Sequence, residues 1–189
     1  LHNQYGVANF VLRSLGVPPE QLPQWLLEPR GALHVLSGGT IPDGIGPSLA
    51  LACVIVFEVW RSSGFMIVVL MAGLTAVPRE FEEAARIDGG GWWAVTRYVT
   101  LPLLTPTLFF LVTVSLISAF QAFDAFYALT GDGQGPLGTT RTMSVYIYTQ
   151  FFVNSREGYG AALATLLCAG IAAVTLIQWR VLGRRVHYS

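Results

Sequence analysis

Apolar residues run almost unbroken over three stretches of this chain, and the polar residues gather between them. Residues 103–123 hold no charged side chain, and neither do residues 158–179. As helices rising 1.5 Å per residue, each is long enough to cross a hydrocarbon core of about 30 Å. Residues 47–73 make a third apolar span, interrupted near its middle by Glu58 and Arg61 but otherwise built from runs such as Leu51-Ala52-Cys53-Val54-Ile55-Val56-Phe57. Ahead of these spans, Val7, Phe10, Val11 and Leu15 recur at helical spacing, which suits a helix lying along a membrane face. Pro18, Pro19, Pro23, Pro29, Pro42 and Pro47 then punctuate an irregular stretch around Trp25-Leu26-Leu27. A further short helix is expected over 143–152, with Tyr146, Tyr148, Phe151 and Phe152 at the interface.

The polar stretch over 79–102 has its own pattern. Pro78 disfavours a continuing helix and can start a new one. Glu80, Glu82 and Glu83 fall in the first turns, where acids complement the positive end of the helix dipole, and Ala84-Ala85 leave a smooth spot for another surface. Gly89-Gly90-Gly91 allow a left-handed turn, and residues 92–98 make a second short helix expected to stop before Leu101-Pro102. The result is a bracket of two helices at a membrane surface.

Composition agrees with a bilayer: 53% of the 189 residues are hydrophobic and 12% charged, and the mean hydropathy is +0.54. Eleven basic residues balance eleven acidic ones, which gives no basic face for nucleic acid. Every cation is arginine, so the chain carries no P-loop lysine and ATP hydrolysis must belong to another subunit. Gly133-Gln134-Gly135-Pro136-Leu137-Gly138 fits a dinucleotide fingerprint by letter, but no strand precedes it and proline spoils the turn. His2, His34 and His187 are far apart and form no metal cluster, and Cys53 and Cys168 read as small apolar residues within spans. No catalytic residue, cofactor or metal is expected.

Arginine placement sets orientation. Arg79, Arg86 and Arg97 precede the second span while Arg180, Arg184 and Arg185 follow the third, so both segments are expected in the cytoplasm. That leaves residues 1–46 and 130–157 outside.

The order Glu83-Ala84-Ala85, three residues, Gly89, nine residues, Val99, one residue, Leu101-Pro102 resembles the EAA motif of the permease subunits of binding-protein-dependent ABC importers, with Val99 in place of isoleucine. Trp60 with Gly64, residues 74–78, Asp88-Gly89, Phe120-Gln121-Ala122-Phe123-Asp124 and Thr130-Gly131 ahead of Gly135-Pro136 resemble its carbohydrate branch. The resemblance implies an all-α, polytopic helical bundle in the inner membrane, equivalent to the C-terminal half of a six-span permease, so the chain is expected to be a fragment. Its parts would be an outer connection over 1–46, membrane helices over 47–73, 102–129 and 158–183, a cytoplasmic coupling loop over 78–101, an outer loop over 130–157 and a tail over 184–189. The resemblance also implies partners: a cytosolic ATPase dimer, a second permease and an extracytoplasmic solute-binding protein, with a sugar or sugar-like solute as cargo. Glu82, Glu83, Ala84, Ala85, Asp88, Gly89, Leu101 and Pro102 would dock the ATPase. A permease for a non-sugar solute, or a secondary transporter, is the alternative.

Glu58 and Arg61, three apart, share a helix face and can pair; a charge at the bilayer centre costs about 3 kcal/mol or more. They either line a solute path beside Trp60 or pin two helices together. Phe120, Gln121, Phe123, Asp124 and Tyr127 combine aromatic faces with hydrogen-bonding groups at the end of the second span. Asp124 is expected about 33 Å along that helix from Pro102. The group is either a sugar contact or gate, or an aromatic belt with a solvated acid. The stretch around Trp25 either meets a solute-binding protein or packs as a plain loop.

Overall fold

A computed structural model describes residues 6–18 and 22–182. The expected tail over 184–189 lies outside them, as do Tyr5, Pro19, His2 and His187. In chain order the helices are α1 (Val7–Ser14), α2 (Ala32–Leu36), α3 (Leu49–Thr75), α4 (Arg79–Ile87), α5 (Trp92–Val95), α6 (Leu101–Leu103), α7 (Thr105–Phe120), α8 (Asp124–Thr130), α9 (Met143–Tyr148) and α10 (Glu157–Leu182). Among the described residues the β pairing is one isolated antiparallel bridge, Gly31 to Ser48. Leu49–Thr75 and Glu157–Val181 are each long and apolar enough to cross a membrane. The pair Trp92–Leu103 and Thr105–Phe120 qualifies only when taken together, and it is bent by 64°.

The chain divides into two compact units. The first joins Leu1–Trp60 to Ala122–Leu163. Its core is Val54 from α3, Ala125 and Phe126 from α8 and Val145 from α9, with Leu26, Phe57 and Leu129 packed around it. Asn9 of α1 is 1% exposed and accepts a hydrogen bond from the Trp25 indole at 2.6 Å. Asp43 accepts from the Gly31 N–H at 2.9 Å and the Gly44 N–H at 3.0 Å, closing the loop that leads into α3.

The second unit joins Arg61–Gln121 to Ala164–Ser189. Gly73 of α3 sits so close to Thr107 that an added Cβ would lie 2.7 Å from its hydroxyl, so the Thr107 side chain packs directly on the α3 backbone. Across the α7–α10 seam, Gln178 donates to the Thr113 hydroxyl at 2.8 Å.

The single helix expected over 102–129 is broken twice. Pro106 has no N–H to give the carbonyl of Pro102, and that carbonyl is taken by the Thr105 hydroxyl at 2.6 Å, so the chain bends at Leu104. The other end breaks over residues 121–123, where the Ala122 carbonyl accepts from the Thr142 hydroxyl at 2.8 Å, and α8 restarts at Asp124. Asp124 is therefore not a residue about 33 Å up one continuous helix; it opens a new helix, where its charge suits the dipole. Nor does the bracket's second helix stop before Leu101-Pro102. It continues from α5 through a wider π turn over Thr96–Thr100 into α6.

Candidate functional site

The Glu-Ala-Ala bracket lies wholly in the second unit. Pro78, extended at φ −65° and ψ 130°, starts α4, and the chain leaves it through Gly89 at φ +86°. The N–H of Gly90 returns to the Ala85 carbonyl at 2.9 Å. A Cβ on Gly90 would stand 2.6 Å from that oxygen, so Gly89 supplies the left-handed turn and Gly90 the close approach, while Gly91 opens on empty space.

At 3.6 residues per turn α4 separates the motif into two faces. Glu80, Glu83, Ala84 and Ile87 point outward and are exposed, Ile87 at 85%. Glu82 and Ala85 are half-buried. Glu82 accepts from the Thr100 hydroxyl at 3.2 Å and lies 3.9 Å from Arg86, so it ties α4 to the helix leading into the membrane segment. Asp88 and Gly89 are exposed at the turn, Leu101 is exposed, and Pro102 is half-buried. Glu82 and Ala85, grouped with the docking residues by sequence, thus face the fold. Ile87, Trp92 and Trp93 are exposed apolar groups that the motif letters do not mark. The signal for Ile87 was its position seven residues after Glu80, one stripe with Glu83 and Ala84.

The second group of sequence-selected residues is spread more widely. Glu58, Trp60 and Arg61 lie mid-way along α3. Two residues apart on a helix, Glu58 and Trp60 diverge by about 160°, so they do not share a face. Trp60 is exposed, with its ring centre 6.1 Å from that of Phe57. Phe120 and Gln121 close α7 in the second unit and are exposed. Phe123 and Tyr127, in the first unit, stack at 5.2 Å and both meet Tyr148, at 5.1 and 5.4 Å. Phe152 extends the row at 5.1 Å from Tyr148, and the Tyr127 and Tyr148 hydroxyls are hydrogen-bonded. Asp124 is exposed at the start of α8. The row therefore gains Tyr148, brought from another helix by packing that spacing along one helix does not mark. Among the described residues no group of His, Cys, Asp and Glu is arranged to hold a metal.

The chain is 33% identical over 183 residues to the sulfoquinovosyl glycerol transport system permease protein of Agrobacterium fabrum, covering 96% of this chain and 51% of that protein. It is 32% identical over 177 residues to the trehalose/maltose transport system permease protein of Thermococcus litoralis, covering 94% and 52%. To the sn-glycerol-3-phosphate transport system permease protein of Brucella abortus it is 36% identical over 141 residues, covering 74% and 47%. The chain spans about half the length of these curated relatives. The family described as the inner membrane component of binding-protein-dependent transport systems matches residues 24–188. An all-helical chain, with its bracket and apolar helices, belongs to that family of inner membrane components.

Proposed function

We propose that this chain forms part of the pore of an ABC importer and passes a sugar or sugar-like solute by alternating access, driven by a separate cytosolic ATPase. The observation that carries the reading is the bracket, where an exposed face of Glu80, Glu83, Ala84 and Ile87 backs onto Glu82, itself bonded to Thr100 just before the bent membrane segment. A partner gripping α4 would pull on α6 and α7 through this bond and the chain itself. Here Glu83 and Ala84 make the docking contact with Asp88 and Gly89 at its edge, while Glu82 transmits. Orientation follows the arginines, with the bracket inside and the α8–α9 end outside.

Polyhydroxylated cargo is favoured by the three relatives' names and by the row Phe123, Tyr127, Tyr148 and Phe152, whose ring faces suit sugar C–H surfaces and whose hydroxyls can exchange bonds with it. A solute-binding protein and a second permease complete the system in this reading.

The test is substrate-stimulated ATPase activity of the complete complex in liposomes, comparing wild type with Glu83→Ala and Gly89→Pro after each is shown to insert. Loss of stimulation and of ATPase attachment is expected for both. Unchanged coupling in both overturns the proposal.

A further inference from the structure

The seam between α7 and α10 shuts in two polar atoms that find no hydrogen bond among the described residues. Gln178 is 7% exposed and gives its amide N–H to the Thr113 hydroxyl at 2.8 Å. Thr113 donates in turn to the Phe109 carbonyl at 2.7 Å, as Ser115 does to the Leu111 carbonyl, so its one proton is already used. The amide therefore cannot be reversed to set its oxygen against Thr113, and Gln178 Oε1 stays buried without a donor. Thr175, three residues earlier on the same face of α10, makes no back-bond of the kind that Thr113 and Ser115 make, and its Oγ1 is the other stranded atom. Buried polar groups are nearly always paired, and within a membrane segment the demand is stricter. A lone acceptor and a lone donor on one face thus mark a shut form held at a cost.

We infer, on the importer reading above, that this seam is a joint that parts during the transport cycle and admits water to Thr175 Oγ1 and Gln178 Oε1, with the Gln178–Thr113 bond as the latch of the shut form. Both atoms are closed off within this chain, so neither lipid nor another subunit reaches them unless α7 and α10 separate. Water suits both at once, because it donates to the amide oxygen and accepts from the hydroxyl, and neither group carries a charge. The two forms are then balanced. Shutting gains the bond to Thr113 but strands two polar atoms, whereas parting gives up that bond and hydrates every group that made or lacked one. The motion has a source in α7 itself. Thr113 stands about 14 Å along the helix from the bend at Leu104, so a small turn there shifts it against α10.

The experiment places one cysteine, Thr175→Cys, in the full permease complex carrying Cys53→Ala and Cys168→Ala, held in nanodiscs. Its modification by a charged, water-soluble methanethiosulfonate is timed without nucleotide and with ATP and vanadate. A thiol reacts only where water lets it ionise, so modification is expected to run about tenfold faster in one condition than in the other. Equal protection in both overturns the proposal, and so does equal reaction in both. If this variant fails to assemble, Gln178→Cys reads the same seam. Thr175→Val, the same shape without the hydroxyl, adds a sign. With the stranded donor gone the shut form is favoured, so the complex is expected to melt several degrees higher and to hydrolyse ATP several-fold more slowly under substrate stimulation, while Thr175→Ser, which keeps the hydroxyl, restores both. A lower melting temperature in Thr175→Val would show that the hydroxyl has a partner in the shut form and also overturns the proposal. Unchanged coupling in Glu83→Ala and Gly89→Pro on the same preparation counts against the importer reading alone, since the thiol reads the seam whatever drives it.

Discussion

The bracket and the α8–α9 end of the molecule are built on opposite plans. At the α8–α9 end, Phe126, Ala125 and Val145 bury their side chains against Val54, and Gly133 leaves so little room that a Cβ would meet Val145 at 2.7 Å. In the bracket the large apolar groups Phe81, Ile87, Trp92, Trp93 and Tyr98 are exposed, and only Val95 is buried. What holds the bracket is backbone: a left-handed glycine, a carbonyl return and one side-chain tie from Thr100 to Glu82. In the proposed reading, the α8–α9 end keeps its own shape with a core, whereas the bracket keeps its apolar groups for a partner and fixes only its own turn.

The contrast predicts where substitutions act. Phe126→Ala should give the largest loss, about 3–5 kcal/mol, seen as a lowered melting temperature of the complex in detergent. Ile87→Asp should leave that temperature unchanged while abolishing ATPase attachment; equal unfolding by the two would erase the distinction. Within the bracket, Gly90→Ala should cost about 1–3 kcal/mol because the added methyl strikes the Ala85 carbonyl, and rapid amide exchange confined to α4 and α5 would register it. Gln178→Leu should cost about 1 kcal/mol at the α7–α10 seam, read as a small fall in thermal stability, since interhelical bonds in membranes are modest. The smallest effect concerns acid. Gly31 and Gly44 N–H bonds hold the Asp43 carboxylate below its ordinary range, the former most strongly. Its contribution is complete above the unfolded value near pH 4 and fades as pH falls through the lower native one. Asp43→Asn should therefore flatten the acid limb of a stability titration.

Much of this division was legible in residue order. Pro78 and Gly89 bounded α4 because proline and glycine act locally, and the charge-free runs marked the membrane helices because length and apolarity suffice for that. The breaks in the second span were not, since residues 103–123 stay free of charge through both of them. One depends on Thr105 capping a carbonyl that Pro106 leaves open, and the other on Thr142, twenty residues away. Pro102 misled in the other direction: proline is tolerated in a helix's first turn, and the π turn before it delivers Leu101 already helical, at φ −65° and ψ −42°. Tyr148 joined Tyr127 through tertiary packing that spacing within one helix cannot express.

The bend at Leu104 gives the second unit a fulcrum. Because Pro106 cannot donate to the Pro102 carbonyl and the Thr105 hydroxyl does, the elbow satisfies a group that a straight helix would leave open. With 16 residues beyond it in α7, the arm is about 24 Å long, so a rotation of about 10° at the elbow swings its far end by about 4 Å. In the proposed importer, that displacement is how a small turn delivered at α4 would reach the far end of the arm.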